Sequence, residues 1–339
     1  MGTVPRLVAA TLAGLLRTAL ALLVLVGGAR AAPDEGATAP GAPVRHRVGL
    51  YLIDLHSIDL PRGTFGASFW IWSVGPAAPQ SLRTMEFVNA NQVAVTLESS
   101  VQRGVVGWSQ RKVTGVFREQ WDLRNFPFDR HVLEILLEEG AEEEARFAYE
   151  PDTANSGVGL QDPVEGWRVR DMGIGVGTSA YASSFGDLEA AEPYSRFSRL
   201  RVALALERSD YTGFFKLTAA LYAGFLICVI GCLVHVTAAT FSARITLLAA
   251  ALFAIVINMR AASLAIGSEH GATLMDKLHM VGLAYVGAVT AATVLVCARV
   301  ERGMGTERLM RIDQRCCLSA AAVFVVLNAA LLVQAAVEG

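Results

Sequence analysis

Hydrophobic and polar residues alternate in short segments over residues 44–210. Within residues 200–207, for example, Leu and Val occupy every second position and alternate with Arg, Ala and Glu. Turn-forming sequences such as Pro61-Arg62-Gly63 and Val74-Gly75-Pro76 separate such segments along the chain. Alternation is typical of strands with one buried face, since successive side chains point to opposite faces. Many short strands in a segment of this length predict an all-β sandwich domain over residues 44–210.

A different pattern begins at residue 211. Four apolar stretches follow one another, each close to the ~20 residues that a helix needs to cross a bilayer. They span residues 214–236, 245–267, 278–298 and 316–337. The link before the last stretch carries Arg299, Arg302, Arg308, Arg311 and Arg315, and such positive links stay in the cytoplasm. We therefore predict an all-α, four-helix transmembrane domain over residues 211–339, with the β-domain and the C-terminus outside.

The charge distribution agrees with this division. Residues 32–210 hold 17 Lys or Arg and 25 Asp or Glu, a net charge of −8, whereas residues 211–339 hold nine and six. Only 18% of all residues are charged, which is a small fraction for a soluble protein of this length. An acidic outer domain without a basic patch also disfavours nucleic acid as a partner.

The first 31 residues predict a secretory signal peptide. Arg6 and Arg17 precede the apolar residues 18–26, and Ala29-Arg30-Ala31 fits a small-x-small cleavage site. An uncleaved membrane anchor is the alternative, although the charge-free stretch is shorter than a membrane span. Residues 32–43 are rich in Ala, Pro and Gly and predict a disordered linker.

The cysteines give no sign of a disulfide, a metal site or an active site. All five (Cys228, Cys232, Cys297, Cys316 and Cys317) lie in the apolar half, so we expect an exported domain without disulfides. Cys228 and Cys232 are four residues apart but lack His or acidic neighbours, which favours packing over metal binding. No nucleophile–base set and no phosphate-binding glycine loop points to an enzyme, and we expect no cofactor.

Residues 121–129 read Trp-Asp-Leu-Arg-Asn-Phe-Pro-Phe-Asp and lie between predicted strands at 111–120 and 131–138. This segment resembles the signature loop of the pentameric ligand-gated ion channels, the Cys-loop receptor superfamily. Where the animal receptors have two cysteines, this chain has Glu119 and Leu133. Bacterial members of the family also lack these two cysteines. Shorter similarities follow in the family's order, at residues 48–55, 65–72, 86–90, 151–155, 166–167, 207–211, 242–246 and 276–277. The proline usual in the first transmembrane helix is missing, and so is a Trp-x-Pro-Asp motif.

The resemblance implies a homopentamer in which the second transmembrane helix of each chain lines a pore for inorganic ions. A small-molecule agonist or protons would open it. The expected location is a bacterial inner membrane, with several spans in lipid and the β-domain in the periplasm or outside. A non-conducting membrane receptor or assembly scaffold with the same fold is the alternative, because the helix-one proline is missing and Arg260 lies within the second helix.

The family's pore face, carried onto the second helix, selects six residues that are spaced by four and three and therefore share one helical stripe. They are Thr246, Ala250, Phe253, Ile257, Arg260 and Leu264. Phe253 and Ile257 would form apolar rings that exclude water. The alternative is an ordinary helix in which Thr246 bonds its own backbone and Phe253 packs on lipid or protein. Arg260 weighs against this alternative, although it could snorkel outward. The inner mouth would be formed by residues 242–244, which include Ser242 and Arg244. This segment contains no acid, whereas cation-selective relatives usually have one there. Rings of Arg244 and Arg260 would favour anions.

The resemblance also implies coupling residues. In this family the signature loop, here Phe126, Pro127, Phe128 and Asp129, presses on the link between helices two and three, here residues 267–273. We expect Asp129 to pair with Arg208, with Asp59 as a second acid. The alternative is a proline-containing turn with solvated charges.

An agonist pocket would lie between subunits and be lined by aromatic side chains, which suit cationic amines. The candidates by position are Trp70, Trp72, Tyr149, Tyr181, Phe185 and Tyr194. Each of them is alternatively a residue of the sandwich core. Protons are a rival stimulus because the domain is rich in acids, although the acids between Glu138 and Glu144 are also explained as a solvated turn.

Overall fold

The computed structural model describes residues 42–76, 81–187, 192–237, 239–266, 271–303 and 306–338. The predicted signal peptide and all but the last two residues of the predicted linker lie outside these ranges. A β-sandwich followed by four long apolar helices makes up the described chain, which confirms the predicted fold class.

Ten strands lie in the described part of the β-domain. They are β1 (Val44–Asp59), β2 (Thr64–Pro76), β3 (Met85–Phe87), β4 (Ala90–Arg103), β5 (Val106–Arg118), β6 (Arg130–Glu139), β7 (Phe147–Pro151), β8 (Gly157–Val158), β9 (Trp167–Tyr181) and β10 (Ser195–Arg208). One sheet has the order β4-β5-β2-β1-β7, with β8 also pairing with β1. The other has the order β3-β6-β10-β9.

The core of the sandwich is built from the inward faces of both sheets. In β10, Leu200, Val202 and Leu204 are fully buried, as the alternation in the sequence predicted. The opposing sheet contributes Phe65, Phe69 and other residues of β1, β2 and β5 that are also fully buried. Stacked sheets hide one face of each strand, so the period of two follows directly from the architecture.

Four helices follow, and each is long and apolar enough to cross a membrane. They are α1 (Thr212–Leu233), α2 (Phe241–Ile266), α3 (Leu274–Glu301) and α4 (Thr306–Glu338). The chain is therefore organised as a multi-pass membrane protein. The fourth apolar stretch was predicted to begin at Cys316, but helix α4 begins ten residues earlier. The reason is that the Arg-rich segment before Cys316 is helical and does not form a loop.

The β-domain meets the helices within a short distance along the chain. Strand β10 ends at Arg208 and α1 begins at Thr212, so the predicted boundary at residue 210 falls between them. The signature loop connects β5 to β6 and contacts the first turn of α3, where the Leu274 N–H donates to the Arg124 carbonyl at 2.8 Å. A loop between two strands is thereby bonded directly to a membrane helix.

Candidate functional site

Asp129, His131 and Arg208 form a buried charged group at this junction, which we call the junction cluster. Arg208 Nε donates to Asp129 Oδ1 at 2.9 Å, and its Nη2 donates to Oδ2 at 2.8 Å. His131 Nε2 lies 2.7 Å from Asp129 Oδ2. The side chain of Asp129 is 1% exposed and that of Arg208 is 10% exposed. The predicted pairing of Asp129 with Arg208 is therefore present and shielded from water.

Aromatic rings hold the guanidinium of Arg208 in place. Its Cζ lies 4.6 Å from the ring centre of Phe126 and 4.1 Å from that of Trp167. Trp121 and His131 pack edge to face with ring centres 4.9 Å apart. A desolvated cation between aromatic faces gains stabilisation of up to ~2 kcal/mol beyond its ion pair. Phe126 thus contributes to the cluster as well as to the loop.

Two carboxyl groups near the loop have opposite pKa shifts. Burial alone would raise the pKa of Asp129, but hydrogen bonds from His131 and Arg208 outweigh it and lower this pKa to about 2. Burial raises the pKa of Glu119, only partly opposed by the Gln120 N–H and by the charge of His131. Asp129 therefore stays ionised at any physiological pH, and Glu119 is the carboxyl of this pair that protonates more readily.

The expectation that Asp59 serves as a second acid for Arg208 is wrong. Asp59 accepts hydrogen bonds from the backbone and side chain of Arg62 within its own turn. The second partner in the cluster is His131, which bonds Asp129 and not Arg208, and sequence reasoning missed this residue. The signal was present, because residues 129 and 131 are two apart at the start of a strand and share a face there.

The rest of the signature loop faces the helices. Pro127 is buried, and the ring centre of Phe128 lies 6.0 Å from that of Tyr211, just before α1. At the start of α3, Thr273 and Asp276 form a capping box, which fixes the turn whose Leu274 N–H donates to the Arg124 carbonyl. Residues 267–270 of the predicted contact segment lie outside the described residues.

Helix α2 has one exposed stripe and one buried face. All six residues of the predicted pore stripe are exposed, and Phe253, Ile257 and Leu264 are 66%, 69% and 65% exposed. At about 100° per residue the six positions fall within about 40° of one direction. The buried positions of α2 point the opposite way; they are Arg244, Leu248, Ala251, Ile255, Ala262 and Ile266.

Polar bonds fix the rotation of α2. Asn258 donates to the Leu217 carbonyl of α1, and its Nδ2 lies 2.8 Å from Nε2 of His279 on α3. His279 Nδ1 donates to the Met275 carbonyl at 2.7 Å, so Nε2 is free to accept. Thr246 donates to the Ser242 carbonyl at 2.9 Å, which is the backbone bond of the alternative interpretation.

The two residues predicted for the inner mouth differ in their exposure to solvent. Ser242 is exposed, but Arg244 is 1% exposed and points into the helix bundle, so the prediction of an Arg244 ring at the mouth is wrong. Its two terminal nitrogens bind both oxygens of Asp313 on α4, at 2.6 and 3.2 Å, and Nη2 also contacts the Cys317 sulfur at 3.1 Å. A buried charge needs such a partner, and sequence reasoning missed Asp313.

Arg260 is the second charged residue of α2, and its side chain is exposed. It has no hydrogen bond, ion pair or ring contact within the described ranges of the chain. It lies six residues before the end of α2, about 9 Å at the helical rise. An arginine facing lipid costs roughly 2.5 kcal/mol or more at the centre of a membrane helix, and less nearer the end, unless it reaches water.

The structure does not bring the six aromatic candidates together in one pocket. Trp70 and Trp72 lie on the outer face of β2, beside Tyr51 and Trp108, around a shallow depression of about 490 Å³. The indole N–H of Trp72 donates to Asp152 at 3.0 Å. Sequence reasoning missed Tyr51 and Trp108, although strand pairing opposes Tyr51 to Trp70.

The remaining candidates lie elsewhere. Tyr149 is 3% exposed and belongs to the core, where burial and Glu139 raise its pKa well above the usual value; its prediction as a ligand residue is wrong for an open pocket. Tyr181 donates to Glu138 at 2.7 Å and packs against Phe185, whose ring centre is 5.4 Å away. Tyr194 is 40% exposed, under the guanidinium of Arg196.

Among the described residues, no group of three His, Cys, Asp or Glu side chains could hold a metal ion. The arrangement combines a β-domain, a buried ionic junction and four candidate membrane helices, which is compatible with a membrane receptor or channel. Compared with known proteins, the sequence matches no family model and no curated protein.

Proposed function

We propose that this protein is a pentameric ion channel of the Cys-loop receptor superfamily, gated by a ligand or by protons, with α2 of each subunit lining the pore. The observation that carries the proposal is the geometry of α2. Its six stripe residues are exposed, and its buried residues lie on the opposite side. Five copies around an axis would turn the stripes inward and give each exposed side chain either water or a neighbouring subunit.

The same geometry supports a gate. Phe253 and Ile257 are four residues apart, so five copies would form two successive apolar rings. Narrow apolar rings stop ions by excluding water. The junction cluster and the Arg124–Leu274 bond support transmission from the β-domain, because a buried ion pair joins the loop to β10 and a backbone hydrogen bond joins the loop to α3.

A polar substitution in the gate tests the proposal without knowledge of the agonist. In Ile257→Ser, a wet ring should replace an apolar one, and purified protein in planar bilayers should carry a steady current that the parent lacks. Leu252→Ser is the matched control. Leu252 is also exposed, at 38%, but lies about 120° away from the stripe.

The currents of these variants distinguish an ion channel from a non-conducting receptor or scaffold. Current in Ile257→Ser but not in Leu252→Ser supports an α2-lined pore. Equal behaviour of the two variants contradicts it. Complete silence of Ile257→Ser and of Phe253→Ser, in a protein that elutes as a pentamer, favours the non-conducting receptor or scaffold.

A further inference from the structure

We propose that Arg260, and not Arg244, supplies the charge that selects the permeant ion, which makes the permeant ion a small inorganic anion. The inference rests on the proposed function, because it concerns the same pore. It follows from what happens to each charged residue of α2, a helix that contains Arg244 and Arg260 and no acid.

The surroundings of Arg244 bury its side chain and neutralise its charge. Its side chain is 0% exposed and its charge is balanced by Asp313 through two hydrogen bonds. A neutralised pair behind the wall of a pore presents no net charge to a passing ion. The positive residue at the inner end of α2 therefore holds the helices together and does not act on ions.

Arg260 has the opposite character. It is exposed, lies on the stripe between Ile257 and Leu264, and has no partner in the described chain. Asp276, on the first turn of α3, is engaged by the backbone and hydroxyl of Thr273. Among the residues that the structure describes, nothing offsets the positive charge of Arg260 on the stripe.

Symmetry multiplies this charge. Five copies of Arg260 would form a ring of five positive charges in a narrow, low-dielectric channel. Such a channel focuses the field and raises the local concentration of counter-ions by roughly 10- to 1000-fold. Anions would be concentrated at this ring, and cations would be depleted by the same field.

The test uses chloride and sodium on the Ile257→Ser background, which needs no agonist. A tenfold reduction of chloride on one side, with gluconate as replacement, should shift the reversal potential by about 59 mV, the shift for one charge and a tenfold gradient. Replacing sodium by N-methylglucamine should leave it nearly unchanged. Arg260→Lys should keep the chloride preference, and Arg260→Gln should lower the chloride-to-sodium permeability ratio by about tenfold or more.

Each result has one meaning. A current that follows sodium leaves the channel proposal standing and overturns the anion proposal. Chloride preference that persists in Arg260→Gln assigns selectivity to another residue and also overturns it. Silence of Ile257→Ser and Phe253→Ser contradicts both proposals. Because Arg260 is exposed and makes no hydrogen bond, ion pair or ring contact with the described residues, Arg260→Gln should elute like the parent on size exclusion.

Discussion

Asp129→Asn removes one charge from the junction cluster while keeping the size of the side chain. Arg208 then remains 10% exposed between two aromatic rings, without its carboxylate. The lowering of the Asp129 pKa from 3.8 to about 2 corresponds to about 2.4 kcal/mol. Breaking a buried ion pair by removing one partner costs ~3–5 kcal/mol. We expect a loss of about 2–4 kcal/mol in the free energy of unfolding of the β-domain.

Tryptophan fluorescence is the assay, because all five Trp residues lie in the β-domain. For a domain of this size, the expected loss lowers the melting temperature by about 4–16 °C. Asp59→Asn is the matched control. It breaks the Asp59–Arg62 pair, whose side chains are 33% and 82% exposed, and such surface pairs contribute at most ~1 kcal/mol. Equal shifts in the two variants would refute the reasoning.

The pH dependence provides a second readout of the same group. A carboxyl whose pKa is lower in the folded state stabilises the fold above its unfolded pKa, and this contribution disappears as the pH falls through the folded value. The parent should therefore lose the contribution of Asp129 between about pH 4 and pH 2. Asp129→Asn should lose less stability over that interval, and an unchanged profile would contradict the assigned pKa.

Two further predictions concern the helices and the aromatic depression. Asp313→Asn should lower the stability of the detergent-solubilised protein by about 3–5 kcal/mol, seen as earlier aggregation on heating, because Arg244 is left buried and unpaired; normal stability would contradict the buried pair. Gly49→Ala would put a Cβ 2.2 Å from the ring of Trp72 and should cost about 1–3 kcal/mol in the same fluorescence assay. Gly157→Ala, where the nearest atom is 3.7 Å away, is its control and should change stability by no more than ~0.5 kcal/mol.

The junction shows how the sequence and the structure divide the information. The signature loop and the basic residue at the end of β10, Arg208, could be recognised in the sequence, and their pairing followed from the resemblance. The neighbours that bury the pair were not predicted. Trp167 begins β9 and is 41 residues from Arg208, and only strand pairing brings the two together. Asp59 was placed wrongly because its own turn offers Arg62 at a distance of three residues.

By itself, the sequence determined the fold class, the order of the two domains and the approximate helix spans, because these depend on local periodicity and on the length of apolar runs. It also determined which six residues share a stripe on α2, since helical spacing is fixed. The tertiary structure decided which way the two arginines of that helix face. Arg244 and Asp313 are 69 residues apart, and only the packing of α4 against α3 and α1 brings them within 2.6 Å. A buried charge needs a partner, and the identity of a distant partner is set by packing and not by local sequence.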